Sequence, residues 1–122
     1  MSDFWESLNL FLKVDGVRTA ALIDAATGMI VQAAGEESPG LPDAAASVAD
    51  EVRAARATLG PRRPAGDLDE ITAVMAGRLQ LAKVLQSHPG EGLLLFVDLD
   101  RARANVALAS LRVGQMAPTV LA

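Results

Sequence analysis

The sequence predicts an α+β domain of three layers, in which helices cover both faces of a central five-stranded antiparallel sheet. Three observations support this fold class. Gly16–Gly35 has the pattern of two apolar strands joined by a tight turn, in which Gly28 supplies the positive φ that a short hairpin requires. A long helical segment and three further strand-like segments follow. Val17–Asp24 and Leu93–Leu99 are apolar on both faces, which is typical of central strands.

Burial sets the expected strand order. The first and fifth strands are apolar on both faces, so they should lie side by side in the middle of the sheet. The second strand pairs with the first through its hairpin, and the fourth connects the fifth to the third through two more hairpins. The predicted strand order is therefore 2-1-5-4-3, within the element order α-β-β-α-β-β-β-α.

Two shorter helices are predicted near the ends of the chain. Ser2 can cap the first, and Asp15 and Gly16 end it. The last helix should cover Arg101–Val113, with Asp100 as its N-cap. The 122 residues then form a single domain with its core at about residues 4–113, and we expect residues 114–122 to form a loose tail.

A long middle helix should extend over Asp43–Leu59, with Pro42 in its first turn and Gly60 as its stop. Helical spacing divides its residues into an apolar face and charged faces. We expect the apolar face to consist of Val48, Val52, Ala55 and Leu59, and the charged faces to carry Asp50, Arg53 and Arg56.

Alternation predicts that the third and fourth strands each have two different faces. In the third strand, Leu68–Met75, one face carries Ile71, Ala73 and Met75 and the other carries Glu70, Thr72 and Val74. In the fourth strand, Arg78–Leu85, the inward positions are Leu79, Leu81 and Leu85, interrupted by Lys83, and the outward positions are Arg78, Gln80 and Ala82.

The third strand should be an open edge of the sheet. Glu70–Met75 contains neither proline nor lysine, which monomers commonly use to block edge pairing. We predict that a second copy covers this edge and continues the sheet across a two-fold axis; the alternative is an edge shielded by a loop of the same chain. The predicted interface consists of Val48, Val52, Ala55, Leu59, Ile71, Thr72, Ala73, Val74 and Met75, and the predicted partner-binding residues are Asp50, Arg53 and Arg56.

Few residues have the chemistry of a catalytic or metal site. The chain has no cysteine and one histidine, His88, which lies in a turn without a histidine or cysteine companion for a metal. Neither the P-loop nor the dinucleotide-binding glycine pattern occurs. Asp98 and Asp100 could form a carboxylate pair for acid–base chemistry or Mg²⁺, but strand-end polarity and helix capping are the simpler interpretation. We therefore expect no enzyme, and no catalytic, cofactor or metal site.

The charge balance argues against nucleic acid as a partner. The net charge is −4 and the pI about 4.8, whereas nucleic-acid binders present a basic surface. The densest basic spot is Arg62-Arg63 in a proline-flanked loop. The longest apolar run, Leu93–Val97, is too short to span a bilayer, and no leader-like segment opens the chain. The expectation is a cytoplasmic protein without membrane insertion.

The surface of the long helix remains as a platform for another protein. Two alternatives stay open beside this interpretation. One is a small-molecule sensor, since sheets flanked by helices also build ligand pockets, although the apolar strands supply no convergent polar groups for one. The other is a purely structural scaffold.

The element order and several short motifs resemble the Roadblock (dynein light-chain type) family. The matching pieces are Asp15-Gly16-Val17, Ala21-Leu22-Ile23-Asp24 with Thr27-Gly28, and Leu99-Asp100 followed by Ala104-Asn105 and Leu108-Ala109. The resemblance covers about residues 4–113. The proline- and arginine-rich loop at 60–66 and Lys83 in a strand depart from it.

The resemblance implies a homodimer formed through the third strand and the second helix, in agreement with the edge argument. It also implies a non-catalytic role beside a Ras-like small GTPase, whose nucleotide cycle or localisation would be modulated. Bacterial members resemble regulators encoded with such GTPases, in some cases with a sensor kinase and a small partner protein of the same operon. Some act as GTPase-activating proteins by reordering the switch residues of the GTPase, so no arginine finger is assigned to Arg53, Arg56, Arg62 or Arg63.

Overall fold

Helices and strands follow one another along the chain in the predicted order, α-β-β-α-β-β-β-α. The computed structural model describes residues 4–59, 68–85 and 92–120. The elements are α1 (Phe4–Phe11), β1 (Val17–Asp24), β2 (Ile30–Gly35), α2 (Leu41–Leu59), β3 (Glu70–Val74), β4 (Arg78–Leu85), β5 (Leu93–Asp100), α3 (Val106–Met116) and a 3-10 turn (Ala117–Thr119). The strands form one antiparallel sheet in the order β2-β1-β5-β4-β3. The predicted fold class and strand order are therefore confirmed.

β5 lies at the centre of the sheet, and all of it except Asp100 is buried. It pairs with β1 on one side, where Phe96 lies opposite Ala21, and with β4 on the other, where Val97 lies opposite Leu81. A strand that is covered on both faces has no solvated face for polar side chains. This explains the apolar run from Leu93 to Val97, and the pairing leaves β2 and β3 as the two edges.

Each face of the sheet carries its own apolar core. α1, α3 and the 3-10 turn pack on one face, and α2 packs on the other. Burial of a leucine, valine or phenylalanine side chain contributes about 1.5–3 kcal/mol relative to exposure, so both layers stabilise the sheet. The first core includes Leu8, Phe11, Leu22, Leu95 and Val113, and the second includes Ile23, Val48, Val52, Leu94 and Phe96.

The burial of β4 differs from the expectation at one position. Alternation predicts an outward Ala82, but Ala82 is 2% exposed and belongs, with Val84, to the core beneath α2. The prediction is wrong because α2 covers the second half of this strand. Lys83, which interrupts the other face, forms an ion pair with Asp69 and stays partly exposed.

The last helix begins later than predicted. Asp100 still belongs to β5, and its carboxylate accepts a hydrogen bond from the amide of Ala102 at 3.0 Å. This hydrogen bond is the main reason why the pKa of Asp100 lies below its ordinary value. The carboxylate therefore closes a tight turn. The N-cap of α3 is Asn105, whose side-chain oxygen accepts from the amide of Leu108 at 3.0 Å.

Residues 114–120, the described part of the predicted tail, are not loose. α3 continues to Met116, and the hydroxyl of Thr119 donates to the carbonyl of Met116 at 2.6 Å. Ala117 and Val120 are buried in the core beneath α1 and α3. The helical turn after α3 thus adds apolar side chains to the core on this face.

The turn between β1 and β2 explains how closely α2 approaches the sheet. Gly28 has the predicted positive φ, 77°, and its amide donates to the carbonyl of Asp24 at 2.8 Å. A Cβ atom at this position would lie 3.0 Å from the Cα of Ala46 in α2. The glycine therefore serves both the turn and the packing of a small-residue surface of α2 above it.

The burial of Val52 generates a direct test of this architecture. Its side chain is 0% exposed on the side of α2 that faces the sheet. Val52→Asp therefore places an unpaired carboxylate in an apolar core and should destabilise the fold by about 4 kcal/mol or more. Ala107→Asp, at an exposed position of α3 on the other face of the sheet, is the matched control. Chemical unfolding followed by circular dichroism measures both; equal stabilities would show that α2 is docked through a different face.

Candidate functional site at the free edge of the sheet

Within the described part of the chain, β3 presents a backbone edge that pairs with no further strand. The amide of Met75 donates to the carbonyl of Arg78 at 2.8 Å, and the amide of Val84 donates to the carbonyl of Asp69 at 2.8 Å. Because the hydrogen-bonded pairs of an antiparallel ladder alternate, the odd-numbered residues of β3 bond to β4. The N–H and C=O groups of Glu70, Thr72 and Val74 therefore point away from β4.

The edge is apolar as well as unpaired. Val74 and Met75 are 50% and 40% exposed, and Thr72 is exposed between them and the start of the strand. Within residues 4–59, 68–85 and 92–120, β4 is the only strand paired with β3. The loop at 60–66, which could have shielded the edge, lies outside the described residues.

The two edges of the sheet are not equivalent. The register between β1 and β2 shifts at Leu22 and Ile23, whereas the register between β3 and β4 is regular over all five pairs. Irregularities of this kind twist an edge and discourage further pairing. β3 is thus the better template for an added strand.

Two of the four apolar residues predicted for the dimer interface on α2, Val48 and Val52, face the sheet of their own chain. Val48 and Val52 are 6% and 0% exposed, Ala55 is partly buried, and the side chain of Leu59 lies outside the described residues. The apolar face of α2 thus packs in the core of its own chain. The outer surface of the helix is formed instead by small and polar side chains, at Ala46, Ser47, Asp50, Glu51, Ala54 and Ala57.

The charged residues predicted on α2 have different environments. One guanidinium nitrogen of Arg53 donates to the carbonyls of Ala25 and Ala26 at 2.8 and 3.0 Å, and the other nitrogen pairs with Asp50. Arg53 therefore anchors the helix to the end of β1. The side chain of Asp50 is 71% exposed, and Arg56 is partly buried.

The two aspartates at the end of β5 lie beside arginines. Arg78 Nε is 3.2 Å from Asp98 Oδ1, an ion pair without hydrogen-bond geometry, and Arg18 Nη2 is 3.2 Å from Asp100 Oδ2. Burial raises the pKa of Asp98, and Arg78, Gln80 and Arg18 oppose that rise. The carboxylates thus neutralise neighbouring arginines at the end of β5.

Other site chemistry is sparse in the part of the chain that the structure describes. It contains no cluster of three or more histidine, cysteine, aspartate or glutamate residues that could hold a metal. No helix among the same residues has the length and apolarity needed to cross a bilayer. His88 and the Arg62-Arg63 pair lie outside the described residues, so their predicted roles as turn residues are not tested.

Solved structures with the same architecture identify the fold. The Roadblock/LC7 domain from Streptomyces avermitilis superposes with a TM-score of 0.77 at 17% identity, covering 98% of this chain and 95% of that one. The chain has the Roadblock/LC7 fold. Two other structures with this fold are MglB from Myxococcus xanthus (TM-score 0.74, 16% identity, 93% and 87% covered) and the gliding protein MglB from Thermus thermophilus (0.68, 23%, 94% and 85%). No protein-family model and no curated protein matches the sequence.

The buried Asp98 carboxylate predicts an unusual pH dependence. Because burial raises its pKa in the folded chain, the folded state binds the proton more tightly than the unfolded state, and this residue contributes stability as the pH falls through the raised pKa. Asp98→Asn should therefore be at least as stable as the natural chain at pH 7, and its advantage should shrink between pH 7 and pH 4. Melting temperatures across this range test the prediction. A variant that is less stable at pH 7 would mean that the pair with Arg78 outweighs the desolvation.

Proposed function

We propose that this protein is a non-catalytic, homodimeric member of the Roadblock family that binds a Ras-like small GTPase and modulates its nucleotide cycle or localisation. The observation that carries the proposal is the regular, unpaired β3 edge beside an exposed helix of small and charged residues, on a Roadblock/LC7 fold.

The dimer follows from the geometry of the edge. Two copies of β3 related by a two-fold axis would pair antiparallel through Glu70, Thr72 and Val74, whose backbone groups face away from β4. The exposed side chains of Val74 and Met75 would become buried at the same contact. The two α2 helices would then lie on one face of a continuous sheet, with small residues such as Ala54 and Ala57 permitting close approach. MglB, which has the same fold, occurs in a tetrameric arrangement.

The GTPase partner is inferred from the Roadblock resemblance and fits the chemistry of α2. A regulator of this type needs no catalytic group, because it can raise the rate of hydrolysis by stabilising the competent conformation of the GTPase itself. The contacts of Arg53 agree with this mechanism. Because its guanidinium is bonded to two carbonyls and to Asp50 of its own chain, Arg53 is not placed to act as an arginine finger. Asp50 and the neighbouring Glu51 are exposed on the same helix and supply a negative surface for a partner. A sensor kinase or a small partner protein of the same operon would belong to the same assembly.

Thr72→Pro tests the dimer. The N–H of Thr72 points away from β4, so proline at this edge position removes an intersubunit donor without removing a hydrogen bond of the internal ladder. Light scattering during size-exclusion chromatography at micromolar concentration should show a dimer for the natural chain and a monomer for Thr72→Pro. Thr72→Val, which keeps the N–H and the β-branched shape, should remain a dimer. A natural chain that is monomeric would refute the proposed assembly.

Calorimetric titration tests the GTPase partner. The probes are Ras-like GTPases of the source organism, beginning with any that is encoded near this gene, each loaded with GDP or with a non-hydrolysable GTP analogue. We expect binding in at least one nucleotide state, and Asp50→Arg should weaken it about tenfold, equivalent to about 1.4 kcal/mol. Gln115→Arg, at an exposed position of α3 on the other face of the sheet, should leave it unchanged.

The outcomes of that titration separate the possible roles. Altered GTP turnover in the presence of excess protein would indicate control of the nucleotide cycle. Binding with unchanged turnover would restrict the role to localisation or scaffolding. Absence of binding in both nucleotide states would refute the proposed partner while leaving the dimer intact.

A further inference from the structure

A second surface lies on the face of the sheet opposite α2. A furrow of about 440 Å³ runs between the end of α1 and the side of α3. Its apolar walls are formed by Leu10 and Val14 on one side and by Leu108, Ala109 and Met116 on the other. Leu10 and Leu108 are each 46% exposed, so the furrow presents leucine side chains to solvent.

The rim of the furrow is basic. It carries Lys13, Arg103 and Arg112 against a single acidic residue, Asp15, in a chain whose net charge is −4. None of these three bases forms an ion pair within residues 4–59, 68–85 and 92–120. By contrast, four other basic side chains each have a carboxylate partner: Arg18, Arg53, Arg78 and Lys83. Three positive charges without a direct carboxylate contact among the described residues thus border an exposed apolar groove, and the charge of Arg103 also helps to lower the pKa of Asp100.

The charges are distributed along the furrow. Arg103 precedes the start of α3, whereas Arg112 lies about two turns into the helix, and at 1.5 Å per residue these positions are separated by roughly 10 Å or more. A ligand with one anionic group would meet only one end of such a rim. An extended occupant with several carboxylates and an apolar side would meet all of it.

We propose that this furrow binds an amphipathic helix of a partner protein, with apolar residues at i, i+3 or i+4 and i+7 and with aspartate or glutamate beside them. The helix would lie alongside α1 and α3 as a third helix on this face of the sheet, its apolar side chains against Leu10 and Leu108 and its carboxylates near Arg103 and Arg112.

The charge pattern disfavours a second copy of the chain as the occupant. A two-fold contact through this furrow would bring the same basic residues against one another, and like charges oppose such contacts. The furrow also lies on the opposite face of the sheet from α2. The proposal therefore goes beyond the GTPase-binding role: the protein could hold a further partner while its β3 edge and α2 are occupied.

A displayed library of random 16-residue peptides tests the proposal. The library is selected on the full natural chain and depleted on Leu108→Asp, which places a charge in the furrow at a position that is already half exposed. We expect enriched peptides to be net acidic and to have helical apolar spacing. A labelled synthetic peptide of the enriched sequence should bind at least tenfold more weakly to Leu108→Asp and several-fold more weakly to Arg112→Glu, as measured by fluorescence anisotropy, with binding that weakens in added salt.

The control variant is Leu111→Asp. Leu111 is 57% exposed on the same helix but does not line the furrow, so its substitution should change affinity less than twofold. Thr72→Pro should also bind the peptide normally, which separates this site from the proposed dimer. Circular dichroism melting checks that each variant is folded, and Arg112→Glu provides a surface substitution that does not depend on the leucine result.

Several outcomes would overturn the inference. They are the absence of specific enrichment, enrichment of basic or uncharged peptides, and equal weakening by Leu108→Asp and Leu111→Asp. Sedimentation of the natural chain with vesicles of anionic phosphatidylglycerol, lost in Arg112→Glu, would assign the furrow to a membrane surface instead. Loss of self-association in Leu108→Asp would assign it to a second copy of the chain.

Discussion

The burial of β5 on both faces is the constraint on which the rest of the structure depends. An apolar strand in the middle of a sheet is stable only when helices cover both sides of it. α1 and α3 provide one cover and α2 the other. With β1 and β4 beside β5, the remaining strands β2 and β3 must be edges. The free edge that carries the proposed assembly is thus a consequence of how the centre of the sheet is buried.

Close packing of α2 decides which of its residues remain for partners. The positive φ of Gly28 lets the β1–β2 turn pass beneath Ala46, and Arg53 bonds to the carbonyls at the end of β1. Val48 and Val52 are buried in the core of their own chain. The helix therefore presents a surface of small and charged side chains, which is suited to a contact that excludes water through close approach and depends on charge complementarity for its specificity.

Charged side chains form ion pairs in one region of the molecule and border an apolar furrow in another. At the end of β5, Arg18 and Arg78 lie against Asp100 and Asp98, and these arginines are neutralised within the chain. Around the furrow between α1 and α3, no such pairing occurs among the described residues. An acidic protein with a local basic rim can orient an acidic partner toward one face while its overall charge repels similar molecules elsewhere.

Residue patterns alone predict the α+β class, the strand order and the β1–β2 hairpin, because hydrophobic periodicity and a glycine in a tight turn are local signals. The start of α3 was missed because Asp100 has the same capping chemistry in a tight turn as at a helix. The folded arrangement, and no residue pattern, shows that Ala82 is covered, that Val52 packs on the sheet of its own chain and that Lys13 and Arg103 border one furrow. Each of these depends on elements distant in sequence meeting in space, and no local pattern records which surfaces are thereby covered and which stay free.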